Sequence, residues 1–293
     1  MATTGRVVTS SARRASTGTE SRATRILLRV LTWLVLAFLY IPIVIVVLYA
    51  FNGSRGQTWP PSDFTMHWFS VTFGNPDFRS SLYLSVQAAL GATAIALVLG
   101  SLAALAVHRF RFFGRQSISF LLVLPIALPG ILTGIALNSA INFGGVPFSL
   151  FTIIVGHATF CIVVVFNNAI ARLRRTSGSI VEASQDLGAT GWQTFRYVTL
   201  PSLGTALVAG GLLAFALSFD EIIVTTFTAG PQETLPIFLF NNIKLPRSRP
   251  IVNVVAMLIV ILSVIPVYLA QRMTREKTSE TISTRPTAME TAG

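Results

Sequence analysis

Asp220 and Glu221 stand side by side in an otherwise apolar stretch, Ala216-Leu217-Ser218-Phe219-Asp220-Glu221-Ile222. An ionised carboxylate in a hydrophobic span costs about 2.5–3.5 kcal/mol even on insertion scales, so a pair at one point calls for a reason. The chemistry open to them is electrostatic: two anions bordering one cavity can neutralise a cation, which enters a low-dielectric site only with partners. Neighbours on a continuous helix point about 100° apart, so both border a cavity without facing along one line. The plainer reading puts the pair near an outer mouth, solvated or bonded to a neighbouring helix. Ser218 and Phe219 belong to the same stretch, and His157 and Asn138 are polar positions in two other apolar runs. A histidine inside a membrane needs a hydrogen-bond partner, and interhelical glue is a commoner use for it than substrate contact. Asn138, with Asn142, reads as polar lining or as an interface anchor. The remaining inventory is sparse. Cys161 is the single cysteine, and His67 and His108 lie alone, so neither a nucleophile–base pair, a metal cluster nor a cofactor site is expected.

A second polar island, 179–201, lies between hydrophobic runs. Ser179 with Glu182 has capping-box spacing, Gly188 can end that helix at positive φ, and Thr190 with Gln193 repeats the box. The expectation is two short helices joined by a bend. Ile180, Ala183 and Leu187 share a face of the first; Trp192, Phe195 and Val198 share a face of the second. Leu200-Pro201 closes the segment, with Pro201 suited to the first turn of a further helix.

The elements that hold these groups are set by composition. The 293 residues are 52% hydrophobic and 11% charged, against about 25% charged in soluble chains. Six runs are long enough to span a bilayer, at 30–51, 82–107, 118–141, 150–171, 203–227 and 251–269. The second carries a small-residue series, Gly91, Ala92, Ala96, Gly100 and Ala104, that permits close helix packing. The third contains Pro125 and Pro129, which free backbone carbonyls and imply a kink for packing or a bend lining a pathway. Residues 235–243 form a short interfacial helix within an external loop. Net charge is +11, yet the basic residues crowd the links between spans, which argues for membrane orientation and against nucleic acid. With both termini inside, 17 basic residues face the cytoplasm and five face outward. Residues 1–25 are expected as a disordered cytoplasmic tail and 272–293 as a polar cytoplasmic tail, around a membrane domain at 26–271. No Gly-rich loop ending in Lys-Ser or Lys-Thr occurs, so any ATP used is bound by another chain.

Glu182-Ala183-Ser184, Asp186, Gly188 six residues after Glu182, Val198 and Leu200-Pro201 resemble the EAA loop of bacterial ABC-importer permeases. Ser184 stands where that family usually has Ala, and Val198 where it has Ile. Further stretches (40–43 with 51–52, 156–161, 214–221) resemble the spermidine/putrescine permeases of PotC and YdcV type, over residues 26–271. The resemblance implies an all-α polytopic fold of the type I importer class in the bacterial inner membrane, surrounded by lipid. It implies a transport subunit without enzymatic activity of its own, working by alternating access. The partners implied are two cytoplasmic ATPase subunits, a sister permease and an extracytoplasmic binding protein. Glu182, Ala183, Asp186, Gly188, Leu200 and Pro201 would couple to the ATPase. Asp220, Glu221, Ser218, Phe219, His157 and Asn138 would belong to the substrate pathway. The alternatives are a permease for another small solute, and an ATP-independent cation channel or secondary transporter.

Overall fold

The computed structural model describes residues 22–56, 59–61, 63–110 and 113–283, and all regular structure among them is helical apart from one antiparallel bridge between Asn52 and Phe64. Of the expected tails, residues 1–21 and 284–293 lie outside the described residues; residues 22–25 and 272–283 are helical.

Among the described residues, five helices are long and apolar enough to cross a membrane. The first, α1 (Arg22–Ala50), stays helical through Pro42. Its residues up to Ile45 form a unit of their own, and the second unit runs from Val46 onward. In that second unit a short helix, α2 (His67–Gly74), leads into α3 (Pro76–Arg109). Asn75 caps α3, its side chain accepting from the amides of Asp77 and Phe78 at 2.9 and 3.4 Å, which satisfies donors that the first turn leaves free.

The third expected span is a correction. Instead of one kinked helix over 118–141 there are two, α4 (Arg115–Ala127) and α5 (Gly130–Phe143), of 13 and 14 residues. Pro125 is tolerated inside α4, whereas Leu128 is extended (ψ 145°) as the residue before Pro129 prefers, so the chain breaks there. Neither half is long enough to cross alone.

α6 (Leu150–Arg175) returns, followed by α7 (Gly178–Asp186) and α8 (Gly191–Thr194). α8 does not stop: residues 195–199 continue it as a π-helical turn into α9 (Leu200–Phe219). The amide of Leu200 reaches back five residues to Phe195 O, and this wide turn accommodates Pro201 at the next position. The expected fifth span is also shorter than 203–227. It ends at Phe219, and a separate helix, α10 (Ile223–Thr228), follows. α11 (Leu235–Asn242) matches the short helix expected in the external loop, but Leu235 and Phe238 are buried against Phe78, Phe219 and Val255. The last helix, α12 (Arg249–Ser283), contains Pro266.

The second unit is built around α3, α6, α9 and α12, with α3 packed most extensively on α6. Close approach rests on the small-residue stripe: Ala88, Ala92, Ala96 and Ala104 are 0–1% exposed. A side chain added at Gly100 would put its Cβ 2.8 Å from the backbone oxygen of Ile162. α10 lies between α5 and α6, with Phe227 packed over Gly134 and Thr228 over Gly156.

Candidate functional site

The acidic pair sits at the break between α9 and α10, not within a helix. The single-helix geometry expected for it, with neighbours 100° apart, therefore gives way to the C-cap of α9 at Asp220 and then Glu221, which directly precedes Ile222, the N-cap of α10. Asp220 is the C-cap of α9, with φ −95° and ψ 5°, and is exposed. Glu221 is half-buried, and its Oε1 accepts from the amide of Val224 at 2.9 Å. A carboxylate at a helix N-terminus meets free amides and the positive end of the helix dipole, which is a stabilising place for a negative charge. Glu221 thus has a local reason to exist at this point without a cationic side chain.

The remaining candidates form the frame of that break. His157 on α6 is 1% exposed, Ser218 is 2% and Phe219 is 1%. These three face no solvent in this conformation, so of the residues expected on the pathway only Asp220, Glu221 and Asn138 have exposed surface. The two ring nitrogens of His157 lie 2.7 Å from Ser218 Oγ on α9 and 2.7 Å from Thr225 Oγ1 on α10. Thr225 in turn donates to the Glu221 carbonyl at 2.7 Å. Asn138 on α5 donates from Nδ2 to the Phe227 carbonyl at 2.7 Å, and Asn142 donates back to Asn138. Thr152 Oγ1 donates to the Thr228 carbonyl at 2.8 Å. Polar groups from α5 and α6 therefore hold a six-residue helix that is too short to be stable by itself, and His157 ties it to α9 through Ser218.

Sequence reasoning missed Thr225, Thr152 and Thr228 as members of this frame. The available signal was Thr225 four residues after Glu221 in an apolar run, the spacing at which a threonine hydroxyl bonds a preceding carbonyl.

The second site is the loop between α6 and α9. Its first cap differs from expectation: Ser177, not Ser179, is the N-cap of α7, accepting from the Ser179 amide at 3.3 Å, so the Ser179–Glu182 box does not form. The remaining punctuation is as read. Gly188 has φ 82°, its amide donates to Gln185 O at 2.9 Å, and that of Ala189 donates to Ser184 O at 3.1 Å, the double bond pattern of a Schellman end. The Thr190–Gln193 box is present, with Thr190 N donating to Gln193 Oε1 at 2.7 Å. Ser184 Oγ lies 2.7 Å from Thr194 Oγ1 and ties α7 to α8. Glu182, Ala183, Asp186 and Gly188 are exposed, and Leu200 and Pro201 are exposed at the head of α9. Large apolar groups stand out beside them: Leu187 is 89% exposed, Trp192 67% and Ile180 52%. An exposed apolar set rimmed by polar residues marks an interaction surface.

Residues 96–279 match the family of binding-protein-dependent transport system inner membrane components. The chain is 33% identical over 244 residues to the spermidine/putrescine transport system permease protein PotC of Escherichia coli K12, covering 83% of this chain and 91% of that one. It is 34% identical over 232 residues to the putrescine transport system permease protein PotI of the same organism, covering 76% and 81%. In fold it resembles the crystal structure of a bacterial ABC transporter involved in import of the acidic polysaccharide alginate, with TM-score 0.63 at 20% identity over 87% of this chain and 98% of that chain.

Proposed function

Because the chain belongs to the binding-protein-dependent transport system inner membrane component family, we propose that it is the permease subunit that passes putrescine or spermidine in an ATP-driven importer. The carrying observation is the acidic pair at the α9–α10 break in a chain so similar to PotC and PotI. A polyamine is a flexible chain of ammonium groups, and each of these needs an anionic or polar partner when water is stripped away. Asp220 offers a free carboxylate, and Glu221 offers whatever charge its helix cap leaves over. An anionic solute would be repelled at this point.

Coupling runs through the loop at 179–201. One of two cytoplasmic ATPase copies binds the Ile180, Leu187 and Trp192 face of this chain, with Glu182 and Asp186 setting orientation, and the other binds the sister permease. α8 continues through the π turn at 195–199 into α9 as one unbroken helix, so movement of the docking loop is delivered along it to the break that carries Asp220. Alternating access follows when that helix tilts: the acidic pair faces a loaded binding protein outside, then the cytoplasm. In this topology α4 and α5 together make the sixth crossing, and both termini lie in the cytoplasm. An ATP-independent channel would have no use for a doubly capped, exposed docking loop.

The test is ATP hydrolysis by the assembled importer in nanodiscs, with its binding protein loaded or empty. Putrescine- or spermidine-loaded binding protein is expected to stimulate hydrolysis several-fold over the empty form. Equal rates with both would contradict the reading.

A further inference from the structure

His157 is 1% exposed, and among the described residues it is the only side chain that bonds α9 and α10 to α6 at once, on both sides of the acidic pair. The direction of its hydrogen bonds can be worked out. Thr225 has one hydroxyl hydrogen, and its 2.7 Å contact with the Glu221 carbonyl is a bond only if that hydrogen points there, because a carbonyl cannot donate. Thr225 Oγ1 must then accept from the imidazole, so the proton lies on Nε2. Burying an unpaired imidazolium is costly, so Nδ1 is bare and accepts from the Ser218 hydroxyl. Every donor then runs one way, from Ser218 through His157 and Thr225 to the backbone of Glu221. The opposite tautomer would leave two oxygens, Thr225 Oγ1 and Glu221 O, in contact without a hydrogen.

We infer that His157 is a positioning residue: its neutral Nε2–H tautomer locks the α9–α10 break and thereby sets where the Asp220 and Glu221 carboxylates are presented. The consequence for substrate rests on the pathway role proposed above; the locking of the break does not. A chain of bonds with one direction is lost as a unit, since removing any member leaves its neighbours without a partner.

The test uses the whole importer in nanodiscs and two readouts. Thr225→Val removes the hydroxyl at nearly constant shape, and His157→Leu removes the ring; His157→Gln keeps a donor able to reach Thr225. Amide exchange over 220–228 is expected to quicken about tenfold or more in Thr225→Val and in His157→Leu, with 203–215 unchanged. The two changes together should add nothing to either alone, and His157→Gln should recover much of the protection. In uptake, the same two variants should raise the half-saturating polyamine concentration several-fold more than they lower the maximal rate. Unchanged exchange at 220–228 in both variants, or additive effects in the pair, would overturn the lock. Quickened exchange with an unaltered half-saturating concentration would overturn the presentation of the carboxylates. If wild-type importer responds to neither polyamine while exchange quickens as stated, the lock stands and the polyamine reading fails.

Discussion

Asp220 and Glu221 carry different burdens, and substitutions can separate them. Glu221 accepts from the Val224 amide, a cap whose loss costs about 0.5–2 kcal/mol. Gln keeps an oxygen for that amide and removes only the charge, and Asn at Asp220 removes the charge at nearly constant shape. The combined change Asp220→Asn with Glu221→Gln is expected to abolish polyamine uptake while the chain still assembles; uptake at the wild-type rate would remove both from the pathway. The residue types were legible in the sequence, since two acids in an apolar run are conspicuous. Their setting was not. No Gly or Pro marks a break after Phe219, and the forces that stabilise one come from His157, 61 residues from Ser218, and Asn138, 89 residues from Phe227.

At the scale of elements, the docking loop shows how far local signals reach. Gly188 at φ 82° and the Thr190–Gln193 box are short-range events, and both stand as the sequence implied. The first cap moved two residues because Ser177 and Ser179 are equally competent oxygens, and only the route of the chain out of α6 selects between them. The continuity of α8 with α9 was hidden because Pro201 reads as a fresh start, and a π turn that absorbs it has no clear sequence mark. Gly188→Val would force a β-branched residue into the left-handed region at about 1–3 kcal/mol. It is expected to uncouple ATP hydrolysis from transport; normal transport-linked hydrolysis in that variant would contradict the lever. Burying a leucine is worth about 1.5–3 kcal/mol. Leu187→Ser should therefore weaken co-purification of the ATPase by about tenfold or more, with membrane levels of the permease unchanged. Gly100→Val tests the bundle itself. Its Cβ would meet the Ile162 backbone oxygen at 2.8 Å, where nothing flexible can yield, and overpacking of this kind costs about 1–3 kcal/mol. The amount of folded permease in the membrane should fall. Wild-type levels would show that α3 and α6 can part there.

For the molecule as a whole, composition and hydropathy gave the class and most of the spans, because a bilayer imposes one length on every crossing. They did not give the two places where a span is divided, at Leu128–Pro129 and after Phe219. Those divisions meet: α5 and α10, the second halves of both, pack on each other through Gly134 and Phe227 and through Asn138. A transporter needs backbone that is broken where a cavity must open, and broken helices at membrane depth require neighbours to satisfy the freed groups. The paired half-helices supply that arrangement beside the acidic pair.

The measurement that bears most directly on the central claim is uptake of radiolabelled putrescine and spermidine by cells lacking this chain, with and without its gene restored. The account predicts that restoring it restores uptake of at least one of the two, and that depleting ATP removes that uptake. Uptake that persists without ATP would contradict an ATP-driven importer, and no dependence of either polyamine on this chain would contradict the assignment of Asp220 and Glu221 to a polyamine pathway.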